Sequence, residues 1–118
     1  MALYIVEKLV ADVMLLDMRG EITFGDETAA LRDHVKQLLE KGYRRLVLNL
    51  WEVTYMDSLG ISTLVECYAL AQARGADIKL LRLNRRVLDL MRLTHLTTVF
   101  EIHETLERAL GSFGGAPA

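Results

Sequence analysis

A single cysteine, Cys67, rules out an internal disulfide and suits a reducing compartment. The opening residues, MALYIVEKLV, lack the basic start, the long apolar run and the small-residue cleavage site of a secretory leader. No apolar stretch elsewhere approaches the roughly 20 residues that a helix needs to cross a bilayer. These absences lead to the expectation of a soluble, cytoplasmic protein with no membrane contact. Basic residues are not gathered into a stripe and the net charge is −2, which disfavours nucleic acid as a partner. Three scattered histidines and one cysteine lack the spacing of a metal site, and neither a G-x-G-x-x-G nor a Walker loop occurs. No metal and no cofactor are therefore expected. The chain has no internal repeat and no linker.

What is present is a globular composition, 52% apolar and 25% charged, in 118 residues that fit one domain. Residues 4–9 and 13–19 are apolar-rich runs separated by Ala11 and Asp12, the pattern of a β-hairpin, and Gly20 marks the point where the chain leaves the second strand. A helix is predicted from Asp26, where the carboxylates of Asp26 and Glu27 meet the positive end of the helix dipole. It buries Leu31, Val35, Leu38 and Leu39 and stops at Gly42. Residues 45–50 (RLVLNL) read as a buried strand and residues 51–57 as a loop. A second helix follows, with Ile61, Leu64, Val65, Tyr68 and Ala71 inward and Gly75 as its end. Residues 77–83 form the next strand, and Asn84 caps a third helix that buries Val87, Leu88 and Met91. Residues 98–102 read as a last strand and residues 104–110 as a last helix burying Leu106 and Leu110. The Gly-rich tail, residues 111–118, is expected to be mobile. A hairpin followed by α-β-α-β-α-β-α implies an α/β fold: one mixed sheet, its parallel neighbours joined by right-handed crossovers, with about four helices packed on it.

One segment asks for a functional reading. Residues 53–62 (VTYMDSLGIS) join a buried strand to the second helix, at the carboxyl end of the strand, where open α/β sheets usually hold their sites. Ser58 falls at the helix start, with its hydroxyl near the surface. Gly60 in the first turn costs about 1 kcal/mol relative to alanine. That leaves two uses for the missing side chain, close approach by another molecule or tight packing of helix on sheet. By spacing alone, Asp57 or Ser58 is an ordinary helix cap. A hydrolytic nucleophile is disfavoured, because Met56 stands where G-x-S-x-G requires its first glycine. Nothing assembles His34, His95 or His103 around Ser58, so an enzyme is not expected. Ser62 reads as a solvent-facing or back-bonded helix serine. Trp51 and Tyr55 are expected to pack the loop onto the sheet edge, Arg85 and Arg86 to be solvated charges at a helix start, and Cys67 to be a small core or boundary residue.

The run YMDSLGI, residues 55–61, resembles the D-S-x-G signature of STAS domains that act as anti-sigma factor antagonists. Residues 16–21 (LDMRGE) resemble the family's second strand and its glycine, and residues 46–50 (LVLNL) the strand before the signature. Residues 73–76 (ARGA) are similar to the end of the next helix, and residues 83–100 to the third-helix region. The resemblance covers nearly the whole chain, with residues 1–110 as one STAS domain.

The resemblance implies that Ser58 is phosphorylated by the protein's partner, an anti-sigma factor that is also a serine kinase. The unmodified antagonist binds that kinase and frees a sigma factor; a PP2C-type phosphatase restores the unmodified state. Carried over by position, Ser58 is the phospho-acceptor, Asp57 its flanking acid, and Leu59 and Gly60 part of the docking surface. The segment after Gly20 departs from the family pattern. Thr23 stands near the place where many members carry an acid, the loop is longer, and Asp26 is the substitute, so Thr23 and Asp26 join the partner-binding set. The family precedent is a monomer, with a dimer as the alternative. A second reading is a STAS subunit of a transporter or stress-signalling complex with no phosphorylation cycle, and a third is a small α/β hydrolase.

Overall fold

In the computed structural model, which describes residues 2–113, the chain opens with the hairpin of β1 (Leu3–Val10) and β2 (Val13–Ile22). Ala11 takes the left-handed conformation (φ 57°) in the two-residue turn, which supplies the twist a tight hairpin needs. Then follow α1 (Asp26–Glu40), β3 (Arg45–Met56), α2 (Ser58–Ala73), β4 (Asp77–Leu81), α3 (Arg85–Leu93), a 3₁₀ turn (Leu96–Thr98), β5 (Ile102–His103) and α4 (Leu106–Gly111). The strands lie in the order β1-β2-β3-β4-β5; β1 is antiparallel to β2 and every later neighbour is parallel.

A sheet that grows in one direction through right-handed crossovers puts its crossover helices on one face. Accordingly α1, α2 and α3 share a core with Met14, Leu16, Met18, Leu46, Leu48 and Leu80. Leu31, Val35, Leu38 and Leu39 of α1 are all buried there, as their spacing predicts. The opposite face is covered only in part, where α4 lays Ala109 over Val13, Leu15, Val47 and Leu81. The remainder of that face, with Tyr4, Val6 and Trp51, is open to solvent.

β3 is 12 residues long, and the stretch after Leu50 that reads as a loop stays in the sheet as far as Met56. Two register shifts against β2, between Asp17 and Arg19 and between Gly20 and Glu21, disguise it. At each shift β3 carries one residue more than its neighbour, which breaks the two-residue alternation. Trp51 and Glu52 are therefore both exposed, and so are Thr54 and Tyr55. Trp51 and Tyr55 are strand residues facing solvent, not loop residues packed on the sheet edge. Gly20 does not end β2. It sits inside the strand at φ 121°, where a Cβ would lie 2.1 Å from the Ala2 carbonyl oxygen.

Other expectations are corrected as well. On α2 the inward stripe is Gly60, Ile61, Leu64, Cys67 and Ala71, while Val65 faces outward. α2 packs on its neighbour α1 as well as on β3 and β4, and Cys67 is fully buried on the packed face. Residues 98–102 do not form a strand: Thr98 closes the 3₁₀ turn, Phe100 is buried edge-on to Tyr68 with ring centroids 5.1 Å apart, and only Ile102 and His103 pair with β4. β4 itself stops at Leu81, because Arg82 adopts φ 57°. At the end of the chain, Ala109 is the fully buried residue of α4, with Leu106 and Leu110 packed at its margin. α4 includes Gly111, and Phe113 packs under the Lys79 ammonium, 4.7 Å from the ring centroid. Residues 111–113 thus belong to the folded unit, and the rest of the expected tail, residues 114–118, lies outside the described residues.

Candidate functional site at the β3–α2 corner

β2 and β3 finish side by side, with Ile22 paired to Met56, so the loop into α1 and the corner into α2 leave the sheet together. The first turn of a helix carries backbone N–H groups with no partner inside the helix. At α2 the residue that meets them is Asp57. Its backbone is extended (φ −93°, ψ −177°) and its Oδ1 accepts the Gly60 N–H at 2.7 Å. The other oxygen, Oδ2, accepts the Phe24 N–H at 3.0 Å. The Asp57 N–H in turn donates to the Ile22 carbonyl, at 3.4 Å. One carboxylate therefore caps α2 and ties the β2–α1 loop to it. The Phe24 and Gly60 amides hold the Asp57 carboxyl below the usual carboxylate range, since both bonds favour the charged form.

Because Asp57 is the cap, the Ser58 hydroxyl is free of that duty. Ser58 is the first residue of α2 and is exposed. Its carbonyl accepts the Ser62 hydroxyl at 3.0 Å, so Ser62 is the back-bonded helix serine its position suggests. Beside Ser58, Leu59 is 46% exposed. Gly60 is different. It is buried, and a Cβ there would lie 2.0 Å from the Ile22 carbonyl oxygen. The close approach that requires glycine is made by the chain's own β2, so Gly60 is a packing residue beneath the surface and not part of it.

Thr23 is half-buried in the β2–α1 loop, and Asp26 is exposed at the start of α1. Between them stands Phe24, 73% exposed, a residue that sequence reasoning missed. Its signal was there: a large apolar side chain between Thr23 and Gly25, out of step with both the strand before and the helix after. Phe24 and Leu59 head a groove between α1 and α2 that also includes Thr28, Arg32, Ser62, Thr63 and Glu66. An ion pair from Arg32 Nε to Glu66 Oε2, at 3.0 Å, spans it.

The histidines stand elsewhere. His34 Nδ1 lies 2.7 Å from Glu7 Oε2, and His103 Nε2 lies 3.1 Å from Glu101 Oε1. His95 holds a left-handed turn (φ 60°) before the 3₁₀ segment. Among the described residues no cluster of three or more His, Cys, Asp or Glu side chains could hold a metal ion, and no helix is long and apolar enough to cross a membrane. Cys67 is buried in α2, and desolvation pushes its thiol up to about 12.

With this geometry in view, comparison with known proteins defines the class. The chain belongs to the STAS domain family, whose pattern it matches over residues 4–109. A Thermotoga neapolitana protein named as a candidate anti-sigma factor antagonist is 26% identical over 108 residues, spanning 92% of this chain and 96% of the relative. The crystal structure of a Thermotoga maritima protein named in the same way superposes with a TM-score of 0.84 at 25% identity, covering 92% of each chain. The Bacillus cell-fate determinant SpoIIAA, in its phosphorylated form, shares the fold at a TM-score of 0.72 and 16% identity, covering 96% of this chain and all of its own.

Proposed function

We propose that this STAS domain is an anti-sigma factor antagonist. It docks an anti-sigma factor with serine-kinase activity at the β3–α2 corner, and phosphorylation of Ser58 by that kinase ends the contact. The observation that carries the reading is the division of labour between neighbours: Asp57 caps α2, and the Ser58 hydroxyl is left open to an incoming active site. The names of the Thermotoga relatives support the role, and SpoIIAA, which has the same fold, exists in a phosphorylated form. In this reading Asp57, Ser58 and Leu59 form the docking surface together with Thr23, Phe24 and Asp26 of the adjoining loop. A PP2C-type phosphatase reverses the modification, and the setting is the cytoplasm, where sigma factors act.

The physics of the switch follows from the corner. Phosphorylation adds roughly −1.5 to −2 charges and three acceptor oxygens. The positive end of the α2 dipole faces the new group, and no acidic side chain in the first turn opposes it beyond the capping carboxylate of Asp57, which is tied to the Phe24 and Gly60 amides. The fold should therefore accept phosphoserine, and the penalty falls on a partner that brings nucleotide phosphate to the same spot. Like charges across an interface cost several kcal/mol, and each 1.4 kcal/mol is tenfold in affinity, so a loss of about 100-fold or more is expected. Incubation with candidate anti-sigma kinases and ATP should add the mass of one phosphate, absent in Ser58→Ala. Calorimetric titration should show binding by wild type and Ser58→Ala and none by Ser58→Asp. Equal affinity for all three forms, with no phosphate gained, would sink the proposal and leave a constitutive STAS subunit as the better reading.

A further inference from the structure

The two edges of the sheet are treated differently. β5 is an edge of two residues, too short to template another strand. β1 is an edge of eight residues, LYIVEKLV, continuously paired with β2 from Leu3↔Gly20 to Val10↔Val13 without a register shift. Proteins blunt such edges with proline, bulges, or charges that repel a second strand. β1 has no proline and no bulge. Its two charges, Glu7 and Lys8, each have a partner inside the chain, His34 at 2.7 Å and Asp17 at 3.3 Å, and both stay exposed to solvent, so they restrict the register of an added strand. Meanwhile Tyr4, Val6 and Leu9 are 64%, 54% and 58% exposed. An edge of this length and character is built to add a strand.

We propose that β1 is the contact strand of a homodimer, pairing antiparallel with β1 of a second copy about a twofold axis at Val6. The choice of a second copy comes from the strand's self-complementarity. A twofold axis normal to the sheet sets each residue opposite one on the same face, so the axis can fall at only a few positions. At Glu7 it would oppose two carboxylates, at Lys8 two ammonium groups, and like charges directly opposite are destabilising. At Ile5 it would pair only residues 3–7. At Val6 it pairs residues 3–9 and sets Tyr4 against Lys8, Ile5 against Glu7 and Leu3 against Leu9 of the second copy, with no like charges opposed. Lys8 then lies against the Tyr4 ring, a favourable cation–aromatic contact. The product is one ten-stranded sheet with the α1 helices on the same side. Because the two copies of β3 run in opposite directions, the two Ser58 sites sit at opposite ends and stay accessible. The dimer is independent of whether Ser58 is phosphorylated.

Sedimentation equilibrium of the full chain across a dilution series should give a two-chain mass. Val6→Lys and Val6→Glu each place like charges on the axis and should each sediment as single chains. An equimolar mixture of these two variants should recover the two-chain mass, since opposite charges then meet at the axis; recovery also establishes that both variants are folded. Val65→Lys, on the exposed side of α2, should leave the dimer intact. A one-chain mass for the wild type overturns the proposal. So does a two-chain mass retained by both Val6 variants, or a mixture that stays monomeric.

Discussion

The carboxylate of Asp57 accepts the backbone N–H of Phe24 across 33 residues of sequence, at 3.0 Å, while its other oxygen caps α2 through Gly60 at 2.7 Å. The flanking acid of the signature is thus an anchor first. It holds the exposed Phe24 loop against the start of α2 and relieves Ser58 of structural duty. Asp57→Ala should cost about 1 to 2 kcal/mol, as loss of a helix cap does. Ser58→Ala should stay within about 0.5 kcal/mol of wild type, as an exposed surface change does. Urea unfolding of the two variants checks this, and equal losses would assign the cap to Ser58.

The same bonds make a pH prediction. The amides of Phe24 and Gly60 lower the Asp57 pKa in the folded state, so the folded protein binds fewer protons at this site than the unfolded chain. The stability it contributes is present above the unfolded value of about 3.9 and is lost as pH falls through the folded one. The margin of wild type over Asp57→Asn, measured by denaturant unfolding, should therefore shrink between neutral pH and pH values below about 4. A margin that does not change with pH contradicts the assignment.

Gly60→Ala sets two effects against each other. Alanine is the better helix former by about 1 kcal/mol. Its Cβ, however, would lie 2.0 Å from the Ile22 carbonyl oxygen, a backbone atom that cannot swing aside. The clash should win, with a net loss of about 1 to 3 kcal/mol. A lowered urea midpoint at unchanged slope is the expected result, and a raised midpoint would mean that α2 does not press on β2 at this point.

Cys67 should be chemically silent in the native state. Its thiol is buried and pushed up to about 12, so little thiolate exists near neutral pH. Iodoacetamide at pH 8 should leave the intact mass unchanged for the folded protein and add one carbamidomethyl group in denaturant. Rapid labelling without denaturant would show that α2 opens.

Phe24 is the residue expected to separate binding from folding. At 73% exposure it adds little to the core, so Phe24→Ala should change stability by less than about 0.5 kcal/mol. If it anchors the kinase as proposed, its removal should cost about 2 kcal/mol of binding, roughly 30-fold in Kd. Calorimetry against the kinase that phosphorylates Ser58 tests this directly.

Periodicity and punctuation carried most of the fold. The spacing of Leu31, Val35, Leu38 and Leu39, the stops at Gly42 and Gly75, and the Asn84 cap, whose side chain accepts the Val87 N–H at 3.0 Å, are local matters, and local chemistry decides them. The second half of β3 was illegible because each extra residue against β2 reverses which side chains face solvent, and a reader expecting strict alternation sees a loop. Residues 98–102 misled for the opposite reason. TVFEI has the composition of a strand, but burying Phe100 against Tyr68 bends the chain away from the sheet until Ile102.

At the site the division is similar. The identity of the corner, with Asp57 and Ser58 at the head of a helix, was written in consecutive residues, because a cap and its helix are neighbours in the chain. What Asp57 holds on its other side, why Gly60 lacks a side chain, and that Phe24 stands open beside Leu59 depend on β2 and β3 ending next to each other. That adjacency arises only when residues more than 30 positions apart are packed into one sheet, so tertiary structure alone decided it.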